Sequence, residues 1–181
     1  MDRFVAFIRN VMVGRQGLTK DVLLRIVEER GGTRPYSHIT TGNVSFDADP
    51  GDVARLAVAV ADGVADVIGR REEVIVRSLA ELRRREAARP FDPLPFDHVH
   101  ERAVTFTDAD VAEVRAIALP IASTRGDCVI FATDGSDVYS VTRMIDGRTG
   151  SAGPILERLL HRRVTSRDWR TVERILAAHG G

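Results

Sequence analysis

Cysteine is nearly missing from this chain. Cys128 is the single one in 181 residues, so no intrachain disulfide and no multi-cysteine metal site can form, and a reducing compartment, the cytoplasm, is the expected location. Net charge is missing as well. Acidic and basic residues balance at 26 each, which removes any whole-molecule pull toward nucleic acid or anionic membrane and leaves electrostatic function to local clusters. Lysine is reduced to Lys20, every other basic residue being arginine, a bias that a GC-rich coding genome explains without invoking function. Long apolar runs are absent too: the longest, Val53 to Ile68, is broken by Arg55, Asp62 and Asp66 and cannot serve as a membrane span. The opening "MDRFVAFIRN" has too short an apolar core for a secretory signal. Aromatic residues make up only 6% of the chain, a poor supply for stacking on bases.

What is present suffices for a core. With 44% hydrophobic and 29% charged residues, the chain can form one sizeable domain or two small ones. "RFVAFIR", Arg3 to Arg9, reads as a strand buried on both faces. "TKDVLLRIVEERGG" puts Val22, Leu23, Ile26 and Val27 on one helical face and stops at Gly31 and Gly32. Two short strands, "YSHI" and "NVSFD", follow. Apolar residues then recur at three- and four-residue spacing from Val53 to Val67, as an amphipathic helix requires. "EEVIVR" is a fourth strand, and "SLAE", Ser78 to Glu81, is a capping box opening an arginine-rich helix.

Pro90, Pro93 and Pro95 break all periodicity, and the pattern then restarts: strand "RAVTFT", a helix capped by Asp108 and running through Ile117, strand "CVIFAT", turn "DGSD", strand "VYSVTRM". A helix over Ile155 to Leu160, an extended "RVTS" and a final helix from Arg167 complete it. No residue-level repeat is visible, but the element order is duplicated. The expected fold is therefore α+β, two ferredoxin-like (βαββαβ) halves in tandem with extra helices. Residues 1–89 form the first half, 90–98 a Pro-rich linker and 99–181 the second.

Three stretches, "VAFIRNVMVG", "HITTGNVSF" and "TSRDWRTVERI", together resemble the family of small bacterial proteins known as domain of unknown function 1697. Its members typically show an F-L-R-G-I-N-V-G opening, a Q-S-G-N-V-x-F hairpin and a T-x-R-N-W-N-T-V ending. The resemblance spans nearly the whole chain, through Arg9, Gly14, Gly42 to Val44, Phe46, Thr165, Arg167, Trp169, Thr171 and Val172. It implies the same tandem architecture and carries no assigned activity. The chain departs from the family pattern at Asn10 and Met12, and at Thr149 and Gly150, where many members carry a Ser-Lys pair. The loss of that cation implies a weakened anion site, if the family has one in common.

Six arginines between Arg158 and Arg174 face only Asp168 and Glu173, a local basic patch in a neutral protein. On a helix starting near Arg167, Trp169, Val172, Ile175 and Leu176 share one stripe and Arg167, Arg170 and Arg174 a second beside it. The first stripe is expected to pack, with the indole as anchor; the second is a candidate anion-binding face. "GNV" at Gly42 to Val44 reads mainly as a hairpin turn and secondarily as a backbone anion cradle. The loop after the first strand offers Arg9 but matches no phosphate-loop fingerprint. The candidate ligand-binding residues are thus Arg9, Asn43, Arg167, Arg170 and Arg174.

"DADPGD" is a helix cap at Asp49 rather than a calcium loop. His98 and His100 lack a third ligand for a metal. Cys128 is a small core residue, and "LRRREAAR" is a solvated helix face. No metal or cofactor is expected, and no catalytic residue can be named. The expected function is a cytoplasmic, noncatalytic binder of a small anionic ligand, with nucleic acid and membrane disfavoured as partners. Two alternatives stand beside it: an enzyme acting on a phosphorylated or carboxylated small molecule in a groove between the halves, and an RNA or single-strand binder.

Overall fold

The apolar run at the start of the chain becomes β1 (Asp2–Ile8), an inner strand of a four-stranded antiparallel sheet. The computed structural model describes residues 1–92, 94–95 and 97–180; Pro93, one of the three prolines of the expected linker, lies outside them. The chain divides into two compact units, Met1–Leu82 and Arg83–Gly181. Among the described residues it is an α+β protein with two antiparallel sheets and six helices. Among the described residues no helix is long and apolar enough to cross a membrane.

In the first unit, Thr19 caps α1 (Lys20–Glu29) by accepting a hydrogen bond from the Val22 amide at 3.2 Å. The chain continues through β2 (Thr33–His38), β3 (Asn43–Ala48), α2 (Val53–Ile68) and β4 (Val74–Ser78). The sheet order is β2-β3-β1-β4. Phe4, Ala6 and Ile8 point to the helix-covered face, where they meet Val44, Phe46, Leu23, Val27, Leu56, Val60 and Val64 in one core. Asp49 caps the short turn of 3-10 helix that leads into α2, accepting from the Gly51 amide at 2.9 Å; the capping role is the one the sequence indicates.

The opposite face of this sheet buries Val5, Phe7 and Ile75, so β1 is buried on both faces, and carries a polar cluster beside them. Arg3 donates to Asp47 at 3.0 Å and to the Ser45 hydroxyl at 3.1 Å, and Arg34 pairs with the same Asp47 carboxylate. Burial alone would push the Asp47 carboxyl upward, but the two guanidiniums outweigh it and hold Asp47 below its ordinary value of 3.8. A carboxyl with a lowered folded pKa binds protons more readily in the unfolded chain. Its stabilising contribution is complete above the ordinary value and is lost as pH falls through the lowered one. The stability difference between wild type and Asp47→Asn, followed by urea unfolding, should therefore be constant from neutral pH down to about 5 and close on further acidification. A difference that persists undiminished at pH ~2 would contradict this pairing.

The second unit repeats the plan. Its strands are β5 (Glu101–Phe106), β6 (Ile121–Ala122), β7 (Cys128–Asp134), β8 (Asp137–Thr142) and β9 (Thr165–Asp168), in the sheet order β6-β7-β8-β5-β9. Without the two-residue β6, the order of its four main strands matches that of the first sheet. Its helices are α4 (Val111–Arg115), α5 (Gly153–Leu160) and α6 (Trp169–Ala177).

Two expectations need correction here. The cap of α4 is Asp110, which forms a capping box with Glu113, so the helix is shorter than one running from Asp108 to Ile117. The final helix starts at Trp169 with Asp168 as its cap, so Arg167 belongs to β9. The division between the two compact units falls inside α3 (Leu79–Ala87). The cause is chemical. From Arg83 onward α3 bonds to the second unit: Arg83 donates to the His179 carbonyl at 2.9 Å, Arg84 pairs with Asp134 at 3.1 Å, and Arg85 pairs with Asp137 at 3.0 Å. Arg85 is 3% exposed, so the run is not wholly a solvated face. Phe91, just past Pro90, is also buried within the second unit against Phe131, Tyr139 and Trp169.

Candidate functional site

The residues expected to bind a ligand are spread over both units. Arg9 follows β1, and its guanidinium meets the buried Glu72 at 3.3 Å. Arg70 takes the other Glu72 oxygen at 2.9 Å and also holds the Gln16 side chain and the Asn10 carbonyl. Arg9 is thus part of a closed network that ties the first loop to the start of β4. Asn43 is fully buried in β3, opposite Phe7 and His38, and donates to Thr41 at 3.0 Å. Beside it, Gly42 has φ +68°, and a Cβ there would lie 2.3 Å from Val11. Both observations fit a tightly packed turn.

The C-terminal arginines separate by environment. Arg167 lies on β9, opposite Val104, and donates to Thr165 and to the Ser166 carbonyl. Burial brings its pKa down to about 10, which leaves it protonated at neutral pH. Arg162 pairs with Glu113 and Arg163 with Glu157. Arg170 is exposed near Asp168, at 4.0 Å, and Arg174 is exposed with no ion-pair partner among the described residues. The arginine stripe is therefore a set of separate contacts, with Arg170 the member that lines a cavity.

That cavity, about 360 Å³, lies at the junction of β5 and α6 and is lined by Val99, His100, Arg102, Asp168, Trp169, Arg170 and Glu173. A smaller one of about 130 Å³ shares Arg102, Trp169 and Glu173 and adds Glu86, Arg89, Pro90, Phe91 and Asp92. Strand register explains the junction. Ala103 pairs with Asp168, so the next residue outward on β5, Arg102, lies beside the first turn of α6. Trp169, 5% exposed, forms the shared wall and is fixed by Tyr139 and Phe91 at ring separations of 5.9 and 5.4 Å. Nearby, Glu101 is held above the usual carboxylate range by burial and then by the Asp168 charge.

Aligning the two sheets by register exposes a residue-level repeat that linear inspection does not show. Phe4 pairs with Ser78 as Ala103 pairs with Asp168, and Val5 pairs with Arg77 as Val104 pairs with Arg167. Ser78 and Asp168 both cap the following helix. Arg77 and Arg167 both donate to the preceding residue's carbonyl, at 2.9 and 2.8 Å. By the same register Arg102 corresponds to Arg3. Asp47 and Ser45, the polar partners of Arg3, correspond to Val141 and Tyr139. The second unit keeps the arginine but not its counter-ion. Among the described residues the Arg102 guanidinium has no ion pair or hydrogen bond.

Sequence reading missed Arg102 and used His100 only as a failed metal ligand, because the β5–β9 pairing that brings them to α6 joins segments more than sixty residues apart. Among the described residues no group of three His, Cys, Asp or Glu could hold a metal ion. Cys128 is buried, and its thiol is pushed up to about 11 by burial, with Asp127 and Glu101 adding to the effect. It is thus a protonated core residue rather than a nucleophile.

Comparison with known proteins adds the fold and the family. A solved structure of a conserved bacterial protein from Streptococcus pneumoniae is similar over 98% of each chain, with a TM-score of 0.69 and 17% sequence identity. No curated protein matches. The sequence model for the protein of unknown function DUF1697 matches residues 1–139, from β1 to the middle of β8. The chain belongs to the DUF1697 family.

Proposed function

We propose that the protein is a noncatalytic binder of a small anionic molecule, held at the β5–α6 cleft by Arg102, with Arg170 and His100 beside it. The observation that carries this reading is the Arg102 guanidinium without a counter-ion, at a strand position whose counterpart, Arg3, is neutralised by Asp47. Arginine presents a planar fork of donors suited to carboxylate or phosphate oxygens. A cleft of about 360 Å³ falls in the size range of small-molecule sites. The candidate anion site thus moves from the Arg167–Arg174 stripe to Arg102 and Arg170.

We read each unit as a ferredoxin-like half. The βαββαβ order and the shared arrangement of the four main strands support this. Cytoplasmic residence is supported by the lone protonated Cys128, and bacterial origin by the source of the structural neighbour. RNA binding has little support, because Phe4, Phe7, Phe46, Phe106 and Tyr139 are buried, and Tyr36 on β2 is the one exposed strand aromatic among the described residues, a small stacking surface for bases.

Thermal melting in inorganic phosphate, at matched ionic strength, tests the anion site. A ligand at a hundredfold its dissociation constant adds about 2.7 kcal/mol to stability. Phosphate should raise the melting point of wild type and do so much less in Arg102→Gln. Without ligand the two proteins should melt within a degree or two of each other, since replacing an exposed, unpaired arginine changes stability by no more than about 0.5 kcal/mol. Equal phosphate protection in both would remove Arg102 from the site.

A further inference from the structure

We infer that the ligand of this cleft is dipolar: a small molecule with an anionic group at one end and a protonated amine at the other. The inference rests on the reading of Arg102 as an anion site and asks what else that site requires. The two adjacent cavities share Arg102, Trp169 and Glu173, so a molecule lying across the indole spans both. Their charges do not match a simple anion. Arg170 is beside Asp168, whose carboxylate also caps α6, and Arg89 pairs with Asp92. Once those pairs are set aside, the charges left without a partner among the described residues are the positive Arg102 and the negative Glu86 and Glu173.

A plain carboxylate or phosphate would gain Arg102 and meet repulsion from Glu173, which lines both cavities. Like charges brought together at a binding surface disfavour the wrong ligand. A ligand with an ammonium group turns the same two carboxylates from an obstacle into a second anchor. Trp169 and Phe91, with little of either ring exposed, add a narrow apolar lining beside these charges, enough to meet a short methylene spacer. The arrangement therefore selects for two charges at a set separation rather than for one.

Titration calorimetry of the full chain with ω-amino carboxylates of increasing chain length tests this, with unsubstituted carboxylates and amines of equal length as controls. In wild type, one chain length should bind at least about tenfold more tightly than its matching carboxylate, a difference of about 1.4 kcal/mol. In the Glu86→Gln, Glu173→Gln double variant that preference should vanish, while the plain carboxylate binds as well as before or better. Equal affinity of wild type for the carboxylate and the amino carboxylate would overturn the dipolar assignment and leave the anion site standing. Absence of binding by either, or an amine that binds as well as the amino carboxylate, would overturn both.

Discussion

Replacing Asp137 with alanine should destabilise the second unit by about 3 to 5 kcal/mol, the usual cost of removing one partner from a buried ion pair. Asp137 is fully buried at the start of β8, and Arg85 of α3, 3% exposed, approaches it at 3.0 Å. Asp134, the next nearest carboxylate, is 3.9 Å from the same guanidinium and partly exposed. Without Asp137, the Arg85 charge would remain in a dry environment with only that weaker partner among the described residues. Replacing both residues together, Arg85→Met with Asp137→Leu, should cost far less than either single change, because the desolvation of both ions is then avoided. Urea unfolding of the two singles and the double closes the cycle. Additive losses would mean that the pair does not act as a pair. The same contact explains why the unit boundary lies within α3, since the buried partner of the helix belongs to the second unit.

Much of the fold could be read in local sequence, because its signals are local. The periodic apolar positions of α2, the Ser78–Glu81 box and the Asp49 cap each depend on residues within a few positions of one another. Helix starts failed where several acidic residues compete: Asp108 and Asp110 both suit a cap, and only Asp110 has Glu113 three residues on. At Arg167 the failure was one of period, because a strand of four residues ending in a cap leaves no alternation long enough to detect. The candidate site was the least legible part. Arg102 lies in a strand that reads as ordinary core, and only pairing with β9 brings it to Trp169. Its missing counter-ion becomes visible only when Val141 is aligned with Asp47 through the registers of two separate sheets. Arg85 shows the same limitation: in sequence it sits in a charged helical run, and its burial follows from Asp137, fifty-two residues later.

Trp169→Ala should lower the stability of the second unit by about 3 to 5 kcal/mol, from lost transfer free energy and the cavity left behind. The indole is 5% exposed and contacts two other aromatic rings, Phe91 at 5.4 Å and Tyr139 at 5.9 Å. Each such pair contributes about 0.5 to 1.5 kcal/mol beyond the area it buries. Val172, Ile175 and Leu176 continue the same buried face of α6, so the residue anchors the whole helix and, with it, the cap that positions Arg170. Trp169→Phe, which keeps a ring against Phe91 and Tyr139, should lose clearly less than the alanine variant. Because Trp169 is the sole tryptophan, wild-type unfolding can be followed by its fluorescence and the variants by circular dichroism. A chain of two units need not unfold in one step, so the loss should appear in the transition that wild-type fluorescence reports. A loss below about 1 kcal/mol, typical of surface positions, would mean that the indole does not anchor α6. The cleft beside it would then lack the fixed wall on which a charge-separated ligand depends.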